Sequence, residues 1–373
     1  MPTAPWSRFQ PERIDAAAQR IAGVVEKTPL VPFDCGDERV DLRLKLENRQ
    51  VIGAFKARGA WNQVAQLTPT ERRGGVVCTS SGNHGKALAW AAQKSGVRAT
   101  IVMPKNAYAN KIAACREFGA EVVLCESRMA AERECDKRVK DGATLVHPYD
   151  AERTLLGAGT VGLEIADEWP SVELVYVPVG GGGLVSGVSL ALRHRLGLRV
   201  KVFGVEPKGA ATLSRGIAEG KPVTLEITSC IQGLTPPYSG QLNIDVCKTT
   251  LDGILLVEDT AVLAAQKRLV AFGETVEPAG AASSSAVFEG LVPRELLAGR
   301  TRANPLRVVA IVSGGNPDPE QLERVRAEVA SERTSSVPRG AGSMEPTPLP
   351  RSSDAPPARS TPNDARSGPG SRS

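Results

Sequence analysis

Apolar and polar positions along this chain keep two alternating rhythms. Short β-branched runs predict strands at Leu42–Leu46, Val76–Thr79, Thr100–Met103, Glu121–Leu124, Leu174–Val179, Lys201–Val205, Ile254–Val257 and Arg307–Val312. Between them, amphipathic stretches predict helices at Asn83–Lys94, Ala107–Phe118, Arg128–Lys140, Leu184–Arg195, Thr260–Phe272 and Pro319–Val329. Strand–helix alternation implies an α/β protein with mainly parallel sheets and helices on both faces. Eight strands exceed one small sheet, so two lobes with a cleft are expected: a large lobe of residues 1–46 and 151–330, and a small lobe of residues 47–150. From Ser331 to Ser373 the rhythm stops, with ten Ser, eight Pro and six Arg. Such a segment buries too little apolar surface to offset its ordering entropy, and residues 331–373 are expected to be disordered.

Composition narrows the function classes. With 46 Lys+Arg against 41 Asp+Glu the net charge is +5, too balanced for a nucleic-acid or membrane binder. No apolar run approaches the roughly 18 residues of a membrane span, and the first 25 residues carry no secretory pattern. Seven scattered cysteines without a CxxC read as reduced thiols of a cytoplasmic protein. Three distant histidines and no HExxH argue against a zinc enzyme.

In open α/β sheets ligands bind beyond the carboxyl ends of strands, and four junctions there carry chemistry. Gly53-Ala54-Phe55-Lys56-Ala57-Arg58-Gly59-Ala60 precedes a helix expected from Ala60 to about Leu67. A lysine among Gly, Ala and Phe loses hydration, which frees a neutral amine for Schiff-base chemistry; the bland reading is a solvated lysine at a helix start. Thr79-Ser80-Ser81-Gly82-Asn83-His84-Gly85 joins a strand to a helix and suits a carboxylate, or is a plain cap. Val179-Gly180-Gly181-Gly182-Gly183-Leu184 lets the backbone approach a phosphate. A dinucleotide site is its rival, since Gly181-x-Gly183 begins GxGxxG and Glu206 ends the next strand, but Ser186 occupies the third glycine place. Ser313-Gly314-Gly315-Asn316 ends the last strand, either as a turn or as a hydroxyl for a ring nitrogen. Together they ask for an aldehyde, one phosphate, a carboxylate and a ring nitrogen. Pyridoxal 5'-phosphate with an amino acid meets that set.

The order and spacing of these motifs, with His147-Pro148-Tyr149-Asp150, Gly159-Thr160-Val161-Gly162 and Glu277-Pro278-Ala279-Gly280, resemble the fold-type II pyridoxal-phosphate enzymes from about Ile14 to Asn316. Phe-Lys-Ala-Arg-Gly with Ser-Gly-Asn-His fits the serine/threonine dehydratase (ammonia-lyase) and serine racemase group, and a tryptophan synthase β-like fold is implied. The resemblance implies that Lys56 holds the cofactor and acts as the base on the substrate Cα. It also implies that Phe55 packs on the cofactor, Asn83 meets its ring oxygen, Gly180, Gly181, Gly182, Gly183 and Leu184 cradle its phosphate, and Ser313 faces its pyridine nitrogen. Glu277 and Gly233 would lie at the cofactor edge, and Ser80, Ser81, Gly82, Asn83 and His84 would take the substrate carboxylate.

The expected reaction is β-elimination from L-serine, L-threonine or a similar β-hydroxy amino acid, giving a 2-oxo acid and ammonia. The alternatives are racemisation, with Lys56 and Ser81 as opposed bases, and dehydration of 3-hydroxyaspartate. An NAD-dependent oxidoreductase leaves Lys56 and Ser313 unexplained, and a dead ligand-binding relative would not need Lys56. Racemase-type relatives place a divalent cation on a strand-end Glu and an Asp six residues later; here Glu206 is kept as the one candidate metal ligand and Thr212 holds the later place. Gln232-Gly233 replaces an Asp-Gly of many relatives. A homodimer is implied by the resemblance alone, and with 57 residues after Asn316, most of them expected to be disordered, feedback inhibition through an added effector domain is not expected.

Overall fold

The strand that ends in Ser313 runs through the middle of the larger sheet in the computed structural model, which describes residues 4–335. The ten strands are β1 (Leu30–Phe33), β2 (Val40–Leu46), β3 (Val76–Thr79), β4 (Ala99–Pro104), β5 (Glu121–Cys125), β6 (Thr144–Leu145), β7 (Leu174–Pro178), β8 (Lys201–Pro207), β9 (Gly253–Val257) and β10 (Leu306–Val312). Six form one sheet in the order β1-β2-β10-β7-β8-β9, and four form another in the order β5-β4-β3-β6. Every pairing is parallel except β1 with β2. Of the described residues, 4–331 group as one compact unit.

Burial explains why β7 and β10 read as unbroken apolar runs. Val308 through Val312 are all buried, as are all five residues of β7, because helices cover both faces of a parallel sheet. Odd and even positions feed different cores: Leu174, Tyr176, Val308, Ala310 and Val312 pack on one side, and Val175, Val177, Val309 and Ile311 on the other. All eight expected strands form. The missed ones are β1, a four-residue edge strand interrupted by Pro32, and the two-residue β6.

The largest helix missing from the sequence reading is Glu152–Glu168, whose Gly157, Gly159 and Gly162 argue against helix by propensity. Their purpose is close packing. A Cβ on Gly157 would stand 2.6 Å from the Arg58 carbonyl, and one on Gly162 would stand 2.7 Å from the Val188 carbonyl of the helix Gly183–Leu196. Gly187 returns the contact, its Cβ position lying 2.4 Å from the Leu155 carbonyl.

Two boundaries need correction. The helix expected from Ala60 begins at Lys56 and runs to Val64, because Gly53 turns the chain at φ +76° and leaves Lys56 as the first helical residue. The last helix spans Pro319–Ser335 rather than ending at Val329, so residues 331–335 of the expected disordered tail are helical. Buried Leu322 and Val329 anchor it, and no Gly or Pro interrupts the sequence before Pro338. Residues 336–373 lie outside the described residues. No described helix is long and apolar enough to cross a membrane.

Candidate active site

Lys56 enters its helix from a segment strapped to the end of β10. Ala54 bridges Gly314, the Phe55 N–H donates to the Ser313 carbonyl at 3.1 Å, and the Gly315 N–H donates to the Gly53 carbonyl at 2.8 Å. The Lys56 amine donates to the Pro148 carbonyl at 2.6 Å and stands 5.0 Å from the centre of the Phe55 ring. Burial disfavours its ammonium form and pulls its pKa down to about 8. Ser313 is buried, and its hydroxyl reaches the Ala279 carbonyl at a slack 3.5 Å, which leaves it able to take a better partner.

Asn83 opens the helix Asn83–Ser95 just past β3. Its amide donates to Glu277 Oε1 at 2.5 Å, and its Oδ1 accepts from Asn316 Nδ2 at 2.9 Å. Burial lifts the Glu277 carboxyl to about 7 against the opposing pull of Lys111, Asn83 and Lys86. The helix has no side-chain cap at Gly82; Ser80 Oγ instead accepts from Gly82 N at 3.3 Å and Gly85 N at 3.1 Å. Ser81 is exposed and, among the described residues, has no hydrogen-bond partner. His84 is buried and its Nε2 meets the Val146 carbonyl at 2.7 Å, so that nitrogen carries the proton while Nδ1 is a buried acceptor without a partner. Burial, then the nearby Lys56 charge, drive its pKa down to about 3, and the ring is neutral at physiological pH.

Gly180–Gly183 leads from β7 into the helix Gly183–Leu196, which has no side-chain cap and offers its positive end. Gly182 needs its φ of +97°, and a Cβ on Gly181 would overlap the Tyr149 ring at 2.3 Å. Leu184 is buried in the first turn. Gly233 arrives from the opposite side, its carbonyl 3.1 Å from where a Gly180 Cβ would be. Asn243 clamps the loop from below, its Nδ2 donating to the carbonyls of Gly181 at 2.9 Å and Tyr149 at 3.1 Å.

Three pairs of the expected residues are brought into contact: Phe55 with Ser313, Asn83 with Glu277, and Gly180 with Gly233. Ser81 stands apart as an exposed side chain. Glu206 is fully buried and spends its carboxylate on the helix Thr212–Glu219, accepting from Leu213 N at 2.7 Å, Ser214 N at 3.0 Å and Ser214 Oγ at 2.6 Å. Burial raises its pKa to about 7. Sequence reasoning missed three contributors: the Pro148 carbonyl, Asn243 and Asn316. Pro148 acts through its backbone, which no side-chain pattern reveals; Asn316 was visible at the end of the Ser-Gly-Gly-Asn turn.

These groups fit pyridoxal phosphate. A half-buried amine has one carbonyl partner, a glycine cradle admits no Cβ at Gly181, a helix end has no side-chain cap, and Ser313 has slack in its hydrogen bond. A family model described as pyridoxal-phosphate dependent enzyme matches residues 21–314. An L-threonine ammonia-lyase of Thermotoga maritima is 37% identical over 326 residues, covering 84% of this chain and 77% of its own. A phenylserine dehydratase of Ralstonia pickettii is 36% identical over 310 residues, covering 82% and 90%. The solved structure of maize serine racemase aligns with a TM-score of 0.77 at 32% identity, over 87% of this chain and 98% of that one.

Proposed function

This chain belongs to the pyridoxal-phosphate dependent enzymes, and on that premise we propose that it is an ammonia-lyase that dehydrates and deaminates L-threonine, L-serine or a similar β-hydroxy amino acid. The observation that carries the reading is a Lys56 amine, with its pKa lowered to about 8, on a segment whose Phe55 N–H is held at 3.1 Å by the carbonyl of Ser313, a serine rather than a carboxylate just past the end of β10. Bound beside Lys56, the cofactor supplies an electron-withdrawing ring that acidifies the substrate Cα–H. Lys56 then takes that proton, since a buried amine near neutrality is an effective base. Ser313 is assigned to the ring nitrogen, where its hydroxyl would offer a hydrogen bond and not the full proton that an acid residue could give. The start of the helix Asn83–Ser95, where Ser80 Oγ already holds the Gly85 N–H, is assigned to the substrate carboxylate, with Asn83 oriented by Glu277 and Asn316. The glycine loop takes the phosphate. The relatives named threonine ammonia-lyase and phenylserine dehydratase support the elimination.

Racemisation is the second reading, supported by the exposed Ser81 and the likeness to maize serine racemase. The two lobes belong to the same proposal, supported by one sheet drawn from residues 30–46 and 174–312 and another from residues 76–145. A homodimer rests on the resemblance, and a cytoplasmic location on the scattered cysteines without a CxxC. The test is to assay 2-oxo acid and D-amino acid from L-threonine, L-serine, phenylserine and 3-hydroxyaspartate with the purified holoenzyme. Oxo acid formed by the wild type and abolished in Lys56→Ala is expected. D-amino acid without oxo acid would move the assignment to racemase.

A further inference from the structure

The resemblance places a divalent cation on the strand-end Glu206 and on the residue six positions later, and the donors present do not suit one. A hard divalent cation wants six or more oxygen ligands, usually with more than one carboxylate. Thr212 brings a neutral hydroxyl to the second position, and that hydroxyl is hydrogen-bonded to Ser239 Oγ at 3.0 Å. Glu206 is fully buried, and three of its lone-pair directions already accept from Leu213 N, Ser214 N and Ser214 Oγ. Among the described residues no group of three or more His, Cys, Asp or Glu gathers to hold a metal ion.

We propose that in this chain Glu206 is an internal helix cap that takes the place of the cation. The first turn of the helix Thr212–Glu219 supplies the compensating positive field, about half an elementary charge, together with the two amides and the Ser214 hydroxyl. The cap also holds Thr212 against Ser239, next to Gly240, whose N–H faces the Gly181 carbonyl at 3.4 Å. The glycine loop is thereby braced from within the chain, whatever cations the solution contains.

Thermal unfolding of the holoenzyme tests this without reference to the reaction. After dialysis against a chelator in a buffer with an organic monovalent cation, Mg2+, Ca2+ and K+ are added separately. The wild type is expected to keep one melting temperature throughout, and Glu206→Ala to melt lower by the same interval in every buffer. Should Glu206→Ala fail to fold, Ser214→Ala removes one of the three hydrogen bonds and gives a smaller, equally cation-independent drop. A saturable rise of the wild-type melting temperature with any of these cations, absent in Glu206→Ala, would overturn the proposal, because Glu206 would then be acting through the ion.

Discussion

The backbone N–H of Phe55 donates to the carbonyl of Ser313 at 3.1 Å, joining the segment that carries the lysine to the strand end that carries the serine. Residues 258 positions apart in the chain are thus set in one frame, with Gly53 and Gly315 closing it on the far side. Gly315 has no room for a side chain there: a Cβ would stand 2.4 Å from the Thr275 carbonyl.

Lys56 should make cofactor loading depend on pH. Its amine is neutral above about 8 because burial opposes the ammonium. In the cofactor-free protein, loading followed by the visible band is expected to speed up as pH rises through about 8 and to level off beyond it. The stability of that apoprotein should move the same way. Folded Lys56 releases its proton near 8 and the unfolded side chain near 10.5, so between them the unfolded chain binds more protons and stability rises with pH. Lys56→Met should lose both effects; a loading profile centred near 10 in the wild type would contradict the burial argument.

Glu277 gives a dependence of opposite sign. A carboxyl at about 7 when folded and near 4.5 when unfolded binds more protons in the folded state between those values. Its contribution is present at low pH and is lost as pH rises through 7. Glu277→Gln keeps an acceptor for Asn83 and is expected to melt above the wild type at pH 8, with the gap closing toward pH 5. Glu206 titrates in the same window, so the difference between variant and wild type is the quantity to plot. An unchanged gap across that range would mean Glu277 ionises normally.

Much of this architecture was legible because parallel strands buried on both faces write themselves as apolar runs, as in Leu174–Pro178 and Leu306–Val312. The four junctions were legible because glycines, small hydroxyls and a lysine gather where the chain leaves a strand and enters a helix or turn. The helix Glu152–Glu168 was not, since its glycines are placed for contact with Arg58 and Val188, partners that exist only once the chain is folded. Nor did the sequence show that Lys45, Glu47, Arg58 and Glu164 come together, since their pairing too exists only once the chain is folded. In the fold buried Lys45, Glu47 and Arg58 form one network with partly buried Glu164, in which Arg58 pairs with both carboxylates and Lys45 with Glu164.

That network makes Arg58 the side chain whose loss should cost most stability outside the apolar core. Burial pushes the Glu47 carboxyl up, and the Arg58 charge and hydrogen bonds more than reverse it, holding Glu47 below its ordinary range. Arg58→Met would strand Glu47 without its bidentate partner, at 2.8 Å through both Nε and Nη2. Breaking one side of a buried pair typically costs about 3–5 kcal/mol, to be read from urea unfolding. Arg58→Lys should recover part of that, because an ammonium cannot serve Glu47 and Glu164 with the same fork. The double variant Arg58→Met, Glu47→Gln is expected to be more stable than Arg58→Met alone, since it removes the orphaned charge. Equal stabilities would show that Glu47 takes up a proton once Arg58 is gone, so that no orphaned charge remains to be removed.

Ser81 separates the two reaction outcomes. Elimination needs one base at Cα, the role proposed for Lys56, whereas inversion at Cα needs a second group to return the proton from the other face. Ser81 is exposed at the mouth of the helix Asn83–Ser95 and free of hydrogen bonds among the described residues, so its hydroxyl is available for that role and its loss breaks nothing. Ser81→Ala should therefore leave the melting temperature unchanged and leave oxo-acid formation within a few-fold of the wild type. Any D-amino acid formation should fall by tenfold or more, the usual scale for a lost acid–base group being about 100- to 10,000-fold. The decisive quantity is the ratio of the two products measured on one enzyme preparation, because it is independent of the fraction of protein that carries cofactor. A ratio that Ser81→Ala does not change would remove Ser81 from the proton path and leave the carbanion face opposite Lys56 to solvent.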